Sequence, residues 1–262
     1  MDISITQDLF GVAGKTVLVT GGSRGIGSAI AEAFVKAGAS VYICSRDWDA
    51  CQAQAEALRR YGECVAVRCD VTLPDDRTHL ASELARQTRV VHILVNNAGS
   101  IWVAPLKDYP ESGWDKVFDL NVKGCFFLVQ QLLPFLEAGG KEDDPARIIN
   151  VGSISGFHVP AHESYAYSSS KAALHQLTRH LAYQLAERRI TVNAIAPGMF
   201  PSKMLSESLK RKGLEAVVAP VPLKRLTCPS DLAGAALYLA SKAGAYVTGT
   251  ILPVDGGLAT TA

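Results

Sequence analysis

Tyr167 and Lys171 stand four residues apart in a stretch rich in alanine, serine and leucine, a spacing that puts two side chains on one helix face a single turn apart. Such a pair can move a proton. A free phenol ionises near pH ~10, too high for easy transfer at neutral pH, and a neighbouring positive charge brings that value down. Lys171 is placed to supply the charge. Tyr165 lies close by, but position 169 is serine, so it has no lysine in register. Ser153 follows the apolar run Arg147–Val151, and a hydroxyl there can donate a hydrogen bond to an oxygen on which charge develops. Ser155 is the alternative. Taken singly, these residues could be a turn serine, a helix-start aromatic and a surface cation.

A second constellation lies near the start of the chain. Thr16-Val17-Leu18-Val19-Thr20 runs straight into Gly21-Gly22-Ser23-Arg24-Gly25-Ile26-Gly27, and an alanine-rich amphipathic pattern, Ser28–Ala37, follows. That order reads as strand, tight turn and helix. Glycine suits such a turn because the backbone needs positive φ and because a Cβ would hold a pyrophosphate away from the helix N-terminus. The turn is a phosphate cradle, although Gly21, Gly25 and Gly27 do not have the spacing of the general G-x-G-x-x-G fingerprint.

The elements that must position these groups alternate along the chain. Ser40–Cys44 reads as a strand ending in Ser45-Arg46-Asp47. Strand ends of this kind face the ligand in doubly wound sheets. Where an acid would accept from a free ribose 2′-hydroxyl, Ser45 and Arg46 offer donors and positive charge. With Arg24, they favour a 2′-phosphate; otherwise Arg46 is a solvated side chain and Asp47 a helix N-cap. Helix Asp49–Tyr61 and strand Glu63–Arg68 lead to Asp70, which bonds an adenine amino group or caps the turn before Pro74. Helix Asp75–Thr88 and strand Val90–Val95 open onto Asn96-Asn97-Ala98-Gly99, two amides and a glycine where a ligand can approach closely. Trp114–Glu137 reads as one long helix, with Asn121 inside it as a satisfied core amide or a deliberate distortion. Strand Arg147–Val151, helix Tyr167–Arg188 and strand Ile190–Ala196 follow, the last ending in Pro197-Gly198. Met199–Ala219 reads as a helical insert that could cover a substrate, and helix Pro229–Ser241 and strand Thr250–Val254 complete the pattern. About seven strands alternating with six helices predict an α/β fold with a parallel sheet covered on both faces.

The 262 residues carry no linker-like stretch, so a single domain over 1–262 is expected. A formal net charge of +1 disfavours nucleic acid or an anionic membrane as partner. Cys44, Cys51, Cys64, Cys69, Cys125 and Cys228 are scattered, without a C-x-x-C pair or clustered histidines, and read as reduced core cysteines with no metal site. Met1–Phe10 lacks the basic and apolar regions of a secretory signal, and no run is long enough to span a bilayer. The expected location is cytoplasmic.

Thr20-Gly21-x-x-x-Gly25-x-Gly27, Asn96-Asn97-Ala98-Gly99, Asn121, Ser153, Tyr167-x-x-x-Lys171 and Pro197-Gly198 occur together in one order. In this the chain resembles the short-chain dehydrogenase/reductase family over essentially its whole length. Gln130–Pro134, Tyr165-Ala166-Tyr167, Lys171–Leu177 and Gly249–Gly257 most resemble the 3-oxoacyl-[acyl-carrier-protein] reductases of the rhamnolipid type. Ser153 and Tyr167 are 14 positions apart, one more than in many members, and Ser153 rather than Ser155 falls where the family's serine lies.

The resemblance implies a doubly wound Rossmann-type fold and an NADP(H)-dependent reduction of a ketone. Tyr167 would be the acid, Ser153 the donor to the carbonyl oxygen, and Lys171 would also hold the nicotinamide ribose. Asn121 would hold a water that restores the proton. Gly21, Ser23, Arg24, Gly25, Ile26, Gly27, Ser45, Arg46, Asp70, Val71, Asn97, Ala98, Gly99, Pro197, Gly198 and Ser202 would line the cofactor. A 3-oxoacyl thioester on an acyl carrier protein or coenzyme A is the expected substrate, since the insert combines Met199, Phe200, Met204, Leu205, Leu209 and Leu214 with Lys203, Lys210, Arg211 and Lys212. The alternatives are a steroid, polyol or other ketone, or a non-catalytic NADP-sensing or scaffolding protein. Intact Asn121, Ser153, Tyr167 and Lys171 speak against the last. The family also implies a homotetramer or homodimer, with Tyr246–Gly257 resembling the segment used for assembly.

Overall fold

The computed structural model describes residues 3–160, 162–201, 209–211 and 213–261. Seven strands, β1 (Thr16–Thr20), β2 (Ser40–Ser45), β3 (Cys64–Arg68), β4 (Ile93–Asn96), β5 (Ala146–Val151), β6 (Ile190–Pro197) and β7 (Ile251–Val254), form one parallel sheet in the order β3-β2-β1-β4-β5-β6-β7. The strands are apolar on both faces because both faces are covered. Val17, Val19, Ile93, Val95 and Ile149 point to one side, where α2 (Gly25–Lys36), α3 (Trp48–Arg59) and the late helix Pro229–Ala240 supply Phe34, Ala55 and Leu239. Leu18, Leu94, Ile148 and Val192 point to the other, against Leu84, Leu128 and Leu181 from α4 (Pro74–Gln87), α6 (Cys125–Gly139) and α7 (Tyr165–Leu185). Three helices on each face are the six that the alternation predicts.

Strand order reverses beside β1, which pairs with β2 on one side and β4 on the other. Ligands of open parallel sheets bind beyond the carboxyl ends at such a reversal. Thr20 and Asn96–Gly99 both lie there.

Several elements differ from the sequence reading. The segment read as one helix over Trp114–Glu137 is three: α5 (Glu111–Phe118), a π-helical segment Asp119–Gly124, and α6. The apolar period runs on through the break and hides it. Val90–Val95 is shortened to β4, because the Val91 N–H bonds the Phe135 carbonyl of α6 and not a strand. α7 begins at Tyr165, which puts Tyr167 inside the first turn. Ile3–Phe10 forms α1, an element the sequence reading lacks. Of the insert Met199–Ala219, residues 202–208 and 212 lie outside the described residues, Ser202, Lys203, Met204, Leu205 and Lys212 among them; α8 spans Leu214–Val218 and α9 is Pro229–Ala240. All six cysteines are free; five are buried, whereas Cys228 is half-buried at the N-cap of α9, where Asp231 holds it.

Candidate active site

The glycine turn is shaped by Asn97. Its Nδ2 donates to the carbonyls of Thr20 and Gly21 at 2.8 and 3.1 Å. Thr20 Oγ1 in return accepts the N–H groups of Asn97 and Ala98 at 3.0 and 2.9 Å, so β1 and β4 are clasped at the point of reversal. Gly21 and Gly25 have φ of 63° and 60°. Gly27 needs glycine for another reason: a Cβ would stand 2.3 Å from Asn97 Nδ2 and 2.5 Å from the Gly21 carbonyl oxygen. Arg24, the N-cap of α2, makes no side-chain cap, so the first N–H groups of that helix are available to an anion. These features fit the pyrophosphate of a dinucleotide. Thr20 heads the glycine motif in the sequence, and the folded sheet supplies the partners, Asn97 and Ala98, that make it part of this cradle.

The rim beyond β2 is cationic. Arg24 and Arg46 are exposed, and Arg24 Nη1 lies 3.9 Å from Asp47 Oδ2, a weak surface pair. Asp47 is the N-cap of α3, accepting from the Ala50 N–H at 3.3 Å, and its own N–H bonds Ser45 Oγ at 3.2 Å. Asp70 Oδ1 accepts from the Thr72 N–H and hydroxyl at 3.0 and 2.7 Å, the turn-capping role. The Val71 carbonyl receives the buried Arg77 guanidinium at 2.7 Å. Gly198 owes its type to packing, since a Cβ would meet Asp255 Cα at 2.7 Å.

Lys171 is almost fully buried and donates to the Val151 carbonyl at the end of β5, 2.8 Å away. Its Nζ lies 5.6 Å from the centroid of the Tyr167 ring. Gly99 completes the floor: a Cβ there would sit 3.7 Å from Lys171 Nζ and 3.3 Å from Asn121 Oδ1. Asn121 is both a satisfied amide and the centre of the distortion. Oδ1 accepts from the Ser100 N–H at 2.8 Å, while Nδ2 donates to the Ser100 carbonyl at 2.9 Å and to Ser170 Oγ at 3.0 Å. Ser170 Oγ donates to the Tyr167 carbonyl at 2.7 Å, a link the sequence gave no reason to single out. Gly124 lets the π-helical segment press on Val71, whose carbonyl oxygen would be 3.2 Å from a Cβ.

Ser153 is extended, at φ −169° and ψ 151°, and caps the turn Ile154–Gly156 by accepting the Ser155 N–H at 3.1 Å. Accepting leaves its own hydroxyl proton to donate. Tyr165, by contrast, donates to Glu163 Oε1 at 2.9 Å and packs edge-on against Tyr109 at 5.6 Å. Lys171 Nζ thus lies beside the Tyr167 ring, while Tyr165 is engaged with Glu163 and Tyr109. Tyr167, Lys171, Asn121 and Gly99 converge, and Ser153 lies two residues beyond the carbonyl that anchors Lys171. No cluster of metal-binding side chains occurs among the described residues. Nor, among them, is any helix long and apolar enough to cross a membrane.

A fold reversed at β1, a glycine cradle and a Tyr–Lys pair define a nucleotide-dependent oxidoreductase. The family model described as enoyl-(acyl carrier protein) reductase matches residues 21–259, and the chain belongs to the short-chain dehydrogenase/reductase family. It is 47% identical over 249 residues to the rhamnolipids biosynthesis 3-oxoacyl-[acyl-carrier-protein] reductase of Pseudomonas aeruginosa, covering 95% of this chain and 97% of that one. The 7alpha-hydroxysteroid dehydrogenase of Escherichia coli is 35% identical over 245 residues, 93% of this chain and 94% of that one. The solved Pseudomonas aeruginosa RhlG/NADP active-site complex superposes with a TM-score of 0.93 at 46% identity, covering 96% of this chain and 99% of that chain.

Proposed function

We propose that this chain reduces the ketone of a 3-oxoacyl thioester to the 3-hydroxyacyl product with NADPH. The observation that carries the reading is the buried Lys171 ammonium, fixed to β5 and 5.6 Å from the Tyr167 ring. The nicotinamide, when bound, supplies the hydride. Tyr167 donates the proton to the carbonyl oxygen, and Ser153 donates a hydrogen bond to the same oxygen, stabilising charge as it develops. Lys171 holds positive charge beside the phenol and donates to the nicotinamide ribose; Asn121 keeps the floor in place and holds the water that restores the proton. Gly21, Ser23, Gly25, Ile26 and Gly27 cradle the pyrophosphate. Arg24, Ser45 and Arg46 take the 2′-phosphate, Asp70 and Val71 border the adenine, and Asn97, Ala98, Gly99, Pro197 and Gly198 line the remainder.

The substrate class rests on the 47% identical reductase and on an insert whose sequence carries apolar Met199, Phe200 and Leu214 together with exposed Lys210 and Arg211. Those residues suit an acyl chain and the phosphate of a carrier, either acyl carrier protein or coenzyme A. Assembly as a homotetramer or homodimer, and a cytoplasmic location that keeps the free cysteines reduced, complete the reading. The deciding experiment follows NADPH absorbance and compares kcat/KM for 3-oxoacyl thioesters of graded chain length with that for 7-oxo steroids and ketoses. Thioester preference is expected. Turnover of the cyclic ketones alone would assign the chain to another branch of its family.

A further inference from the structure

One turn beyond Lys171 on the same face of α7 stands a side chain that the reaction as described does not use. His175 is 3% exposed, and its ring lies against the turn that carries Ser153. A Cβ on Gly152 would stand 2.4 Å from Nε2, and one on Gly156 would stand 2.5 Å from Cε1 and 2.6 Å from Nδ1. Two edges of one imidazole thus meet the backbone on both sides of Ser153, at two residues where only hydrogen fits. The Phe157 ring follows at 5.6 Å. His175 Nε2 is buried and has no hydrogen-bond partner among the described residues. A buried polar atom left unpaired is destabilising, and an aliphatic side chain would fill the same space without it. What the ring provides is a flat, narrow edge. It is also uncharged, because burial, with Lys171 and Arg179 nearby, pushes its pKa down to about 4.

We propose that His175 is a positioning residue: its ring is the rest on which the Gly152–Gly156 turn lies, and it sets where the Ser153 hydroxyl stands. The proposal depends on the reading that Ser153 donates to the substrate carbonyl. It makes Gly152, Gly156 and His175 one unit, in which a change to any member moves the serine.

The test is a pair of double-mutant cycles. In the first, His175→Ala and Ser153→Ala are combined, and kcat is measured with NADPH and whichever ketone the wild type reduces. His175→Ala should lower kcat by about 10–100-fold, the loss expected from misplacing a group by up to an ångström, with the NADPH dissociation constant within about twofold. In the Ser153→Ala background the same change should lower kcat by less than about threefold, since a residue acting through another loses its effect when that other is gone. Equal losses in both backgrounds would overturn the proposal. His175→Gln serves the same cycle if the alanine variant does not fold. The second cycle needs no activity. Gly152→Ala should lower the melting temperature by several degrees, and His175→Ala should restore at least half of that loss by making room for the Cβ. Additive losses would overturn the packing unit. A wild type that reduces a cyclic ketone but no thioester would remove the substrate reading and leave both cycles decisive.

Discussion

β5 begins in one environment and ends in its opposite. Near its amino end Arg147, 1% exposed, donates to the carbonyls of Pro145, Leu239 and Ser241 and to Asp144 Oδ1, the last three at 3.2, 3.0 and 3.0 Å. Lys15 joins from the loop before β1, reaching Asp144 at 2.8 Å and the Ala240 carbonyl at 3.3 Å. Two cations, both paired with the Asp144 carboxylate, thereby donate to the Leu239 and Ala240 carbonyls in the last turn of α9, which have no partners within their own helix. Burial lowers the Lys15 and Arg147 values from their ordinary ones, and Asp144 opposes the shift. At the carboxyl end the polar groups are held differently. Ser153 keeps a proton to donate, the first N–H groups of α2 lack a side-chain cap, and Lys171 is tied by one bond to the Val151 carbonyl. The amino end binds its charges to the protein, and the carboxyl end keeps donors free for something else. Damage at one end should therefore read out as lost stability, and damage at the other as lost turnover.

The largest effect that would sharpen this contrast is at Tyr167. Tyr167→Phe should lower kcat by about 10³-fold or more, with the melting temperature and NADPH affinity retained, because only the transferable proton is removed. Lys171→Ala should weaken both turnover and cofactor binding. Tyr165→Phe should stay near wild type; if it is the inactive variant, the assignment of the acid is wrong.

Arg147→Met is the counterpart at the other end. Removing one partner of a buried charge cluster typically destabilises by about 3–5 kcal/mol, and the lower figure is expected because Lys15 remains beside Asp144. Urea unfolding should register the loss while kcat per folded molecule stays unchanged. A fall in kcat with unaltered stability would break the separation of the two ends.

These two regions were not equally legible in the sequence. The carboxyl end announces itself, because glycines between a strand and a helix and a tyrosine four residues before a lysine are local patterns with local reasons. Asn121 was visible as a polar residue in an apolar period, yet the π-helical form depends on Val71 pressing against Gly124 from another part of the chain. Thr20 and His175 act through neighbours that only the folded sheet supplies. Arg147 gives no local signal at all: within the strand pattern it reads as one more alternation, and two of its three carbonyl partners, Leu239 and Ser241, lie more than ninety positions away. The resemblance to a known family carried over residues with motifs, and the knot at the amino end has none.

A smaller effect follows from the His175 ring. Its pKa falls from 6.5 to about 4 on folding, so below pH 6.5 the unfolded chain takes up a proton that the folded one refuses. The resulting cost to stability is absent above pH 6.5, grows as pH falls toward 4, and changes no further below that. The two values correspond to about 3 kcal/mol at most. Unfolding free energies measured from pH 7 to pH 4 should show this slope in the wild type and lose it in His175→Gln. An unchanged slope in the variant would assign the acid sensitivity to carboxylates elsewhere.

The smallest effect concerns which cofactor the open end prefers. Arg24 and Arg46 are both exposed, and neither position 45 nor position 46 bears an acid, so a 2′-phosphate meets donors and positive charge where a free 2′-hydroxyl would find no carboxylate. Exposed pairs are individually weak, about 0–1 kcal/mol each, but two guanidinium groups converging on a doubly charged phosphate should together exceed the ~1.4 kcal/mol that a tenfold preference requires. NADPH should therefore bind at least about tenfold tighter than NADH. Arg46→Asp should narrow or reverse the ratio. The nearest acid, Asp47, lies 3.9 Å from Arg24 and competes with the phosphate for it, so Asp47→Asn should widen the ratio modestly, with some loss of stability from the weakened α3 cap. Because these charges are solvated, raising the salt from 0.1 to 1 M shortens the screening length from about 10 to about 3 Å and should shrink the preference. Equal dissociation constants for the two cofactors at low salt would sink the assignment of this rim, while leaving the Tyr167–Lys171 chemistry at the centre of the site untouched.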